Sequence, residues 1–184
     1  MVSLGLVDGH RIDGVRTRRI ERNSDDRGWF AEYFVAGDDQ GIDPVQWSVV
    51  RSAPRVLRGM HLHVGHDEFF SIVSGRVTLG LHDLRALSPT FGRAATYEFC
   101  GADPIQLIFP RGLVHGWLFH EESVHLQATS RAHDDYHPQD NHGCHWSDPE
   151  LGIAWPMSPT VVAARAEGFG SLRELRATVT SQTA

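Results

Sequence analysis

Three histidines and one glutamate in this sequence have the chemistry and the spacing of a metal-binding set. His61 and His63 are two residues apart, Glu68 follows after four intervening residues, and His115 comes much later in the chain. Residues i and i+2 of a β-strand point to the same face, so the imidazoles of His61 and His63 can converge. Three imidazoles and a carboxylate suit a divalent transition metal such as Fe, Ni, Zn, Mn or Co. The sequence therefore predicts a divalent metal held by these four residues.

The elements that must position this set are predicted to be short strands. Stretches rich in β-branched and aromatic residues recur between Gly and Pro turn signals, at 46–50, 68–73, 76–81, 105–109 and 124–129 among others. Many short strands at regular spacing are typical of a sandwich or barrel. Helical periodicity is convincing only over 171–177, where Leu172 and Leu175 are three residues apart. We therefore predict an all-β protein with a short C-terminal helix.

The spacing of the four residues resembles the two cupin motifs. His61-x-His63-x4-Glu68-x6-Gly75 has the pattern of the first motif, and Pro110-x-Gly112-x-x-His115 has the pattern of the second. In cupins these His and Glu positions are metal ligands, and the resemblance implies a jelly-roll β-barrel. We expect a single cupin domain over 1–184, with an N-terminal arm (1–24), a barrel core (25–156) and a C-terminal helix and tail (157–184). The small polar tail after Arg176 is expected to fray.

The composition excludes several classes of function. The 184 residues include 17 basic and 23 acidic ones, a net charge of −6, which argues against a general nucleic-acid binder. All the basic residues are arginines, so chemistry that needs a lysine amine is excluded. Cys100 and Cys144 cannot form a disulfide framework, and no stretch approaches the roughly 20 apolar residues of a membrane span. We therefore expect a cytoplasmic protein with neither a nucleic-acid nor a membrane partner.

A second resemblance extends over roughly residues 25–156. The ordered matches are Asp25-x-Arg27-Gly28-x-Phe30-x-Glu32, Gln46, Val56-Leu57-Arg58-Gly59-Met60-His61, Ser88-Pro89-Thr90-Phe91-Gly92, Tyr136-x-Pro138 and Trp146-x-Asp148-Pro149-x-Leu151-Gly152-Ile153-x-Trp155-Pro156. With these blocks the chain resembles the dTDP-4-dehydrorhamnose 3,5-epimerase family, which is built on the cupin jelly roll. The resemblance implies a pocket for a nucleotide-linked sugar. It also implies a substrate-binding set, namely Arg27, Phe30, Glu32, Gln46 and Arg58.

The chemistry that the resemblance implies needs residues that this chain only partly has. In the family, a histidine paired with an aspartate removes a proton α to a keto group, and a tyrosine acts as the acid. His61 falls on the base. No tyrosine lies on the strand that precedes Tyr136, where His125 or Gln127 has the parity to face the pocket. The family's lysine is Glu68 here, and no orienting aspartate is evident within 163–167.

These departures leave more than one interpretation open. In the first, the protein is an isomerase that moves protons α to the ketone of a dTDP-4-keto-6-deoxyhexose, with a metal polarising the keto oxygen. A ligated His61 cannot be the free base, so His125 would take that role. In the second, the scaffold serves other metal chemistry in natural-product metabolism, as a dioxygenase, cyclase or lyase. A sugar-binding cupin without catalysis is the third interpretation.

Two further expectations concern the surface. We expect a homodimer, because the strands at the edge of a jelly roll must be covered or paired. The apolar residues before Asp25 would add a strand to the partner; they are Val2, Leu4, Leu6, Val7, Ile12 and Val15. His66, in the short connection between His63 and Glu68, is expected to be exposed.

Overall fold

The computed structural model describes residues 5–37, 41–135 and 140–182. Within these residues the strands and helices are, in chain order, β1 (Leu6–Gly9), β2 (Arg16–Arg19), β3 (Arg22–Asp25), β4 (Gly28–Ala31), β5 (Gln46–Ser52), β6 (Val56–Leu62), β7 (Glu68–Ser74), β8 (Arg76–Asp83), β9 (Ala94–Cys100), β10 (Ile105–Phe109), β11 (Leu113–Phe119), β12 (Ser123–Thr129), β13 (His142–Gly143), β14 (Val161–Val162), α1 (Ala164–Glu167) and α2 (Leu172–Gln182).

Two large sheets make up most of the molecule. One has the order β1-β9-β8-β11-β6-β13, with β14 also pairing with β6, and the other has the order β2-β10-β7-β12-β5. Inward side chains from both sheets pack into one core, for example Phe70 and Leu107 from the second sheet against Leu79, Tyr97 and Trp117 from the first. Non-sequential neighbours in both sheets are typical of Greek-key connections. The predicted all-β jelly roll is confirmed.

The N-terminal segment belongs to the barrel of its own chain. β1 pairs with β9, and β2 pairs with β10. Ile12 and Val15, which we expected to help add a strand to a partner, are buried in the core between the two sheets. That expectation is therefore wrong for these two residues, because their own barrel supplies the apolar surface that covers them. Val2 and Leu4 lie outside the described residues.

The C-terminal helix was predicted correctly but is longer than expected. Leu172 and Leu175 are buried against Met60 and Leu62 of β6, on the outside of the first sheet. The hydroxyl of Ser171 accepts a hydrogen bond from the amide of Glu174, and the Glu174 carboxylate accepts one from the amide of Ser171, which together form a capping box. The helix continues to Gln182 instead of fraying after Arg176, and its Val179 also packs in this layer. Among the described residues, no helix combines the length and apolar character needed to cross a membrane.

A separate two-stranded hairpin precedes β5. It consists of β3 and β4, which pair with each other and form a sheet of their own. Its apolar side chains are largely open to solvent, since Trp29 and Phe30 are both exposed. The Arg22 guanidinium lies 4.0 Å from the ring centroid of Trp29, so the hairpin is held partly by its own contacts.

Candidate active site

Four strands line the barrel interior at the site. β6 carries His61, β7 carries Glu68, β11 carries His115, and β12 carries His125 and Gln127. Alternate residues of a strand face the same side. These polar side chains all lie on the side of their strands that faces the barrel interior. His61 is the register partner of His115 across β6 and β11. The strands thus bring residues more than 50 positions apart in sequence to one place.

Two glycines allow β6 and β11 to approach closely beside this pair. Gly59 and Gly116 are register partners, and a Cβ added to Gly59 would lie 2.6 Å from the Cα of Gly116. Gly59 also has a φ of +124°, a conformation that side-chain-bearing residues rarely adopt. The ladder shifts register between His115 and Gly116. This close approach fixes the depth at which His61 and His115 enter the interior.

The Glu68 carboxyl lies at the centre of a buried group of imidazoles. Its Oε1 atom is 3.2 Å from His115 Nε2, 3.3 Å from His63 Nε2 and 3.8 Å from His66 Nε2. Its Oε2 atom accepts a hydrogen bond of 3.1 Å from Gln127 Nε2. Burial raises the pKa of Glu68 and lowers the pKa of His115 well below its ordinary value. We call Glu68, His63, His66 and His115 the Glu68 cluster.

His66 is buried, and the expectation that it would be exposed is wrong. Its ring reaches inward because Asp140 holds the connection between β6 and β7: the Asp140 carboxylate accepts hydrogen bonds from the amides of Val64 and Gly65. Asp140 Oδ2 also lies 3.3 Å from His66 Nδ1. Burial, followed by repulsion from His63, lowers the pKa of His66 to about 4. The sequence contains no signal for this contact, since Asp140 is 74 positions away from His66.

His61 stands apart from the Glu68 cluster. Its ring centroid lies 6.4 Å from that of His63 and 6.3 Å from that of His115. Burial, and then the neighbouring His115 and His63, lower its pKa to about 3, so the ring is neutral at neutral pH. Its Nδ1 atom is buried without a hydrogen-bond partner. The edge of Phe169 packs on the ring at 5.9 Å, and Glu167 lies instead beside His145.

His125 sits among aromatic rings. It lies 5.3 Å from Phe119 and 6.4 Å from Trp117 in nearly parallel arrangement, and 5.0 Å from Phe70. Burial, and then the charge of Arg58, lower its pKa to about 4. Both His125 and Gln127 face the interior, as the strand parity predicts. Gln127 is the one that contacts the Glu68 cluster.

The predicted sugar-nucleotide residues separate into two groups. Gln46 pairs with Thr129, which continues the inward row of His125 and Gln127, so Gln46 is on the cavity side of β5. Its side chain accepts a hydrogen bond from the amide of His133. Arg58 is the register partner of the inward-facing Trp117, and its guanidinium donates to Ser52 Oγ and the Arg51 carbonyl. Within one chain, Gln46 and Arg58 therefore lie on strands that also carry interior residues of the site.

The other group lies on the β3–β4 hairpin. The Arg27 side chain is 89% exposed and forms an ion pair with Asp25 at 2.5 Å. Phe30 is 62% exposed, and Glu32 is also exposed. Within one chain, these three residues therefore do not lie beside the interior residues of the site. Tyr136 and Pro138, which carried part of the resemblance, lie outside the described residues.

The two packed antiparallel sheets, with His61 and further polar side chains facing the interior, define a cupin-type jelly-roll protein. The sequence model of the family described as dTDP-4-dehydrorhamnose 3,5-epimerase matches residues 10–174. The chain belongs to this family, whose members are isomerases.

Individual relatives agree with this assignment. The chain is 30% identical over 150 residues to the spore coat polysaccharide biosynthesis protein SpsL of Bacillus subtilis, covering 78% of this chain and 96% of the relative. It is 30% identical over 160 residues to dTDP-4-dehydrorhamnose 3,5-epimerase of Escherichia coli, covering 82% and 85%. The RmlC epimerase of Legionella pneumophila, solved with dTDP-4-keto-L-rhamnose, superimposes with a TM-score of 0.81 at 26% identity, covering 92% and 95%.

The prediction of a divalent transition metal is wrong. Epimerases of this family act without a metal cofactor, so the cupin motif does not have its usual meaning in this chain. The predicted ligand set is also not the set that assembles: His66 takes a place in the Glu68 cluster, whereas His61 lies outside it. The interpretations as a metal-dependent dioxygenase, cyclase or lyase lose their basis together with the metal.

Proposed function

We propose that this protein epimerises a dTDP-4-keto-6-deoxyhexose by proton transfer at a carbon α to the ketone. Family membership supports the reaction type, and relatives named as dTDP-4-dehydrorhamnose 3,5-epimerases support the substrate class. The single observation that carries the proposal is His61, a neutral imidazole at the family's base position, facing the interior of the barrel. A base must be unprotonated to accept a proton, and this ring is unprotonated at neutral pH.

His61 is the base in this proposal. It takes the proton from the carbon next to the C4 ketone, and the electron pair of that C–H bond forms the enolate. Because His61 carries no metal in this proposal, His125 is not needed as the base. His125 instead forms part of the wall, where aromatic rings keep it neutral. Phe169 packs on the His61 ring, with 5.9 Å between the two ring centroids.

Arg58 and the hairpin residues bind the nucleotide diphosphate in this proposal. Guanidinium groups bind phosphate through two parallel hydrogen bonds, and Arg58 lies close enough to lower the pKa of both His61 and His125. Arg27 and Phe30 offer a second guanidinium and a ring for the base, but on the exposed hairpin. A second copy of the chain would bring them to a cavity.

We accordingly propose a homodimer formed through the hairpin and β5. Trp29 and Phe30 of β4 and Val45, Trp47 and Val49 on and beside β5 are exposed apolar side chains on neighbouring elements. β5 is also an edge strand of its sheet. The backbone N–H and C=O groups along such an edge can pair with a strand of another chain. We propose a cytoplasmic location as well, in keeping with two free cysteines.

The test follows proton exchange in deuterium oxide. Incubation of the protein with dTDP-4-keto-6-deoxyglucose should incorporate deuterium at C3, C5 or both, detected by NMR, together with an inverted product. The matched protein for comparison is His61→Asn, which should incorporate none. If the native protein incorporates no deuterium at either carbon, the epimerase proposal is wrong.

A further inference from the structure

A cavity of about 250 Å³ lies on the outside of the first sheet, beside α2, and we call it the α2 cavity. Its wall is mostly aliphatic and includes Leu62, Val64, Leu84 and Val179. Leu62 directly follows His61 in β6, so the two side chains point to opposite faces of the strand. The α2 cavity and the candidate active site therefore lie on opposite sides of β6.

Backbone hydrogen bonds fix the shape of the α2 cavity. Gly112, in the turn between β10 and β11, donates its amide to the His63 carbonyl at 2.7 Å, and its carbonyl accepts from the Leu84 amide at 3.2 Å. A Cβ added to Gly112 would lie 2.6 Å from Cγ of Arg85, so this turn packs directly on the Arg85 side chain. The cavity is already formed in the free protein, and a ligand would not have to order its walls.

One guanidinium at the α2 cavity has an unused hydrogen-bonding edge. Arg111 donates from Nε and Nη2 to the two carboxylate oxygens of Asp67, at 3.0 and 3.1 Å. This pairing uses two of the five N–H groups of the guanidinium. In the part of the chain that the structure describes, no residue accepts from Nη1, and the Arg111 side chain is 50% exposed. The edge formed by Nη1 and Nη2 can therefore bind a second carboxylate through two parallel hydrogen bonds.

The other arginine at the α2 cavity, Arg85, has a structural role. Its Nε and Nη2 atoms donate to the buried Asp83 carboxylate at 2.9 and 2.7 Å, and Nη2 also donates to the Asp13 carbonyl at 2.7 Å. The aliphatic part of its side chain packs against the turn at Gly112. Arg111 is therefore the group that can hold the charged end of a ligand.

We propose that the α2 cavity binds a small carboxylic acid with an aliphatic body. The aliphatic wall accommodates the body, and the unused edge of Arg111 binds the carboxylate. Sites for drug-sized ligands measure roughly 300–1,000 Å³, so this smaller volume limits the ligand to about ten non-hydrogen atoms. A nucleotide-linked sugar is too large for it. The inference therefore adds a second ligand to the protein and does not rest on the proposed epimerase function.

The first experiment measures octanoate binding to the native protein by NMR, with ¹³C-labelled Leu and Val methyl groups. The expected dissociation constant is about 0.1–1 mM, the affinity that about ten ligand atoms can provide. The methyl signals of Val64 and Val179 should shift with octanoate, whereas those of Leu79 in the barrel core should not. Unshifted Val64 and Val179 signals at about 10 mM octanoate would overturn the proposal.

A matched pair of variants tests the position of the site. Ala86→Trp places a large ring at an exposed residue of the cavity wall, where it should block entry and weaken octanoate binding by at least about tenfold. Leu87→Trp places the same ring at the next position, which is fully exposed, and should bind octanoate within about twofold of native. Octanoate binding that Ala86→Trp leaves unchanged would place the ligand elsewhere and overturn the assignment.

The charged end is tested by comparing octanoate with 1-octanol, which has the same chain length. The native protein should bind octanoate at least about tenfold more tightly, because paired hydrogen bonds to a carboxylate are stronger than those to a hydroxyl. Arg111→Gln should reduce this preference to about twofold or less, since the guanidinium edge is lost. The preference is a ratio within one protein, so a general loss of stability would not change it. Equal affinities of the native protein for the two probes, or the same preference in Arg111→Gln, would overturn the proposal.

Discussion

The barrel interior and the β3–β4 hairpin both carry residues that match the epimerase family, but they differ in how complete they are within one chain. Interior residues from four strands converge: His61 and His115 are register partners, and Gln127 bonds to Glu68. The hairpin residues Arg27 and Phe30 instead point into solvent. A matching motif therefore identifies residues that the family uses. Only the fold shows whether a single chain brings those residues to the same site.

The barrel interior and the hairpin also differ in whether their titratable groups are neutral or charged. In the interior, burial drives each titratable group toward its neutral form, as for His61 and Glu68. On the hairpin, Arg27 is solvated and is paired with Asp25, whose pKa the Arg27 guanidinium lowers. Neutral groups are suited to moving protons, and a solvated cation is suited to meeting a diphosphate. In the proposed function, the interior residues therefore carry out catalysis and the hairpin residues bind the diphosphate.

The largest expected effect is on the interior. His61→Asn removes the ring nitrogen that accepts the proton but keeps a neutral polar side chain at this position. We expect turnover and deuterium incorporation to fall by at least about 1,000-fold, within the range for loss of a general base. The dTDP affinity, measured by calorimetry, should change by less than threefold. Retained turnover with His61→Asn would move the base to another residue and remove the distinction between interior and rim.

The next effect tests whether the hairpin works through a second copy. Val49 is 72% exposed on the outer side of β5, and Val49→Asp would place a carboxylate in the proposed interface. We expect the dimer dissociation constant to rise by at least about 100-fold, measured by sedimentation equilibrium, because a desolvated charge without a partner is costly. Leu87→Asp, at a fully exposed position in the loop after β8, is the matched control and should remain dimeric. A native protein that is monomeric at micromolar concentration would contradict the dimer.

A smaller effect connects the hairpin to the ligand. Arg27→Ala should weaken dTDP binding by about 10- to 30-fold, roughly the contribution of one charged hydrogen bond. The double variant Arg27→Ala with Val49→Asp should bind no more weakly than Val49→Asp alone, because the monomer already lacks the partner's hairpin. Additive losses in this pair would mean that Arg27 reaches the cavity of its own chain.

Much of this architecture was predictable because its signals are local. Strand stretches with period-2 spacing placed His61, Glu68 and His125 on interior faces, and Leu172 with Leu175 predicted the helix that covers β6. The contact between His66 and Asp140 was not predictable, since it joins two residues that are 74 positions apart and that share no motif. The metal was wrongly predicted for a related reason: a spacing pattern reports which side chains share a face, but not whether they bind an ion.

The smallest effect concerns pH and the interior alone. His125 has a pKa of about 4 in the folded protein, lowered by burial and then by Arg58, against about 6.5 when unfolded. Between these values the unfolded chain binds more protons, so the free energy of unfolding decreases as the pH falls below 6.5. From pH 7 to 5.5 this one group should account for a loss of about 1 kcal/mol in the free energy of unfolding.

Urea unfolding of His125→Phe should show a pH dependence smaller by that amount, whereas His133→Gln, which changes an exposed ring, should match the native protein. Equal slopes for His125→Phe and the native protein would mean that His125 titrates normally in the fold, and that the aromatic wall does not keep it neutral.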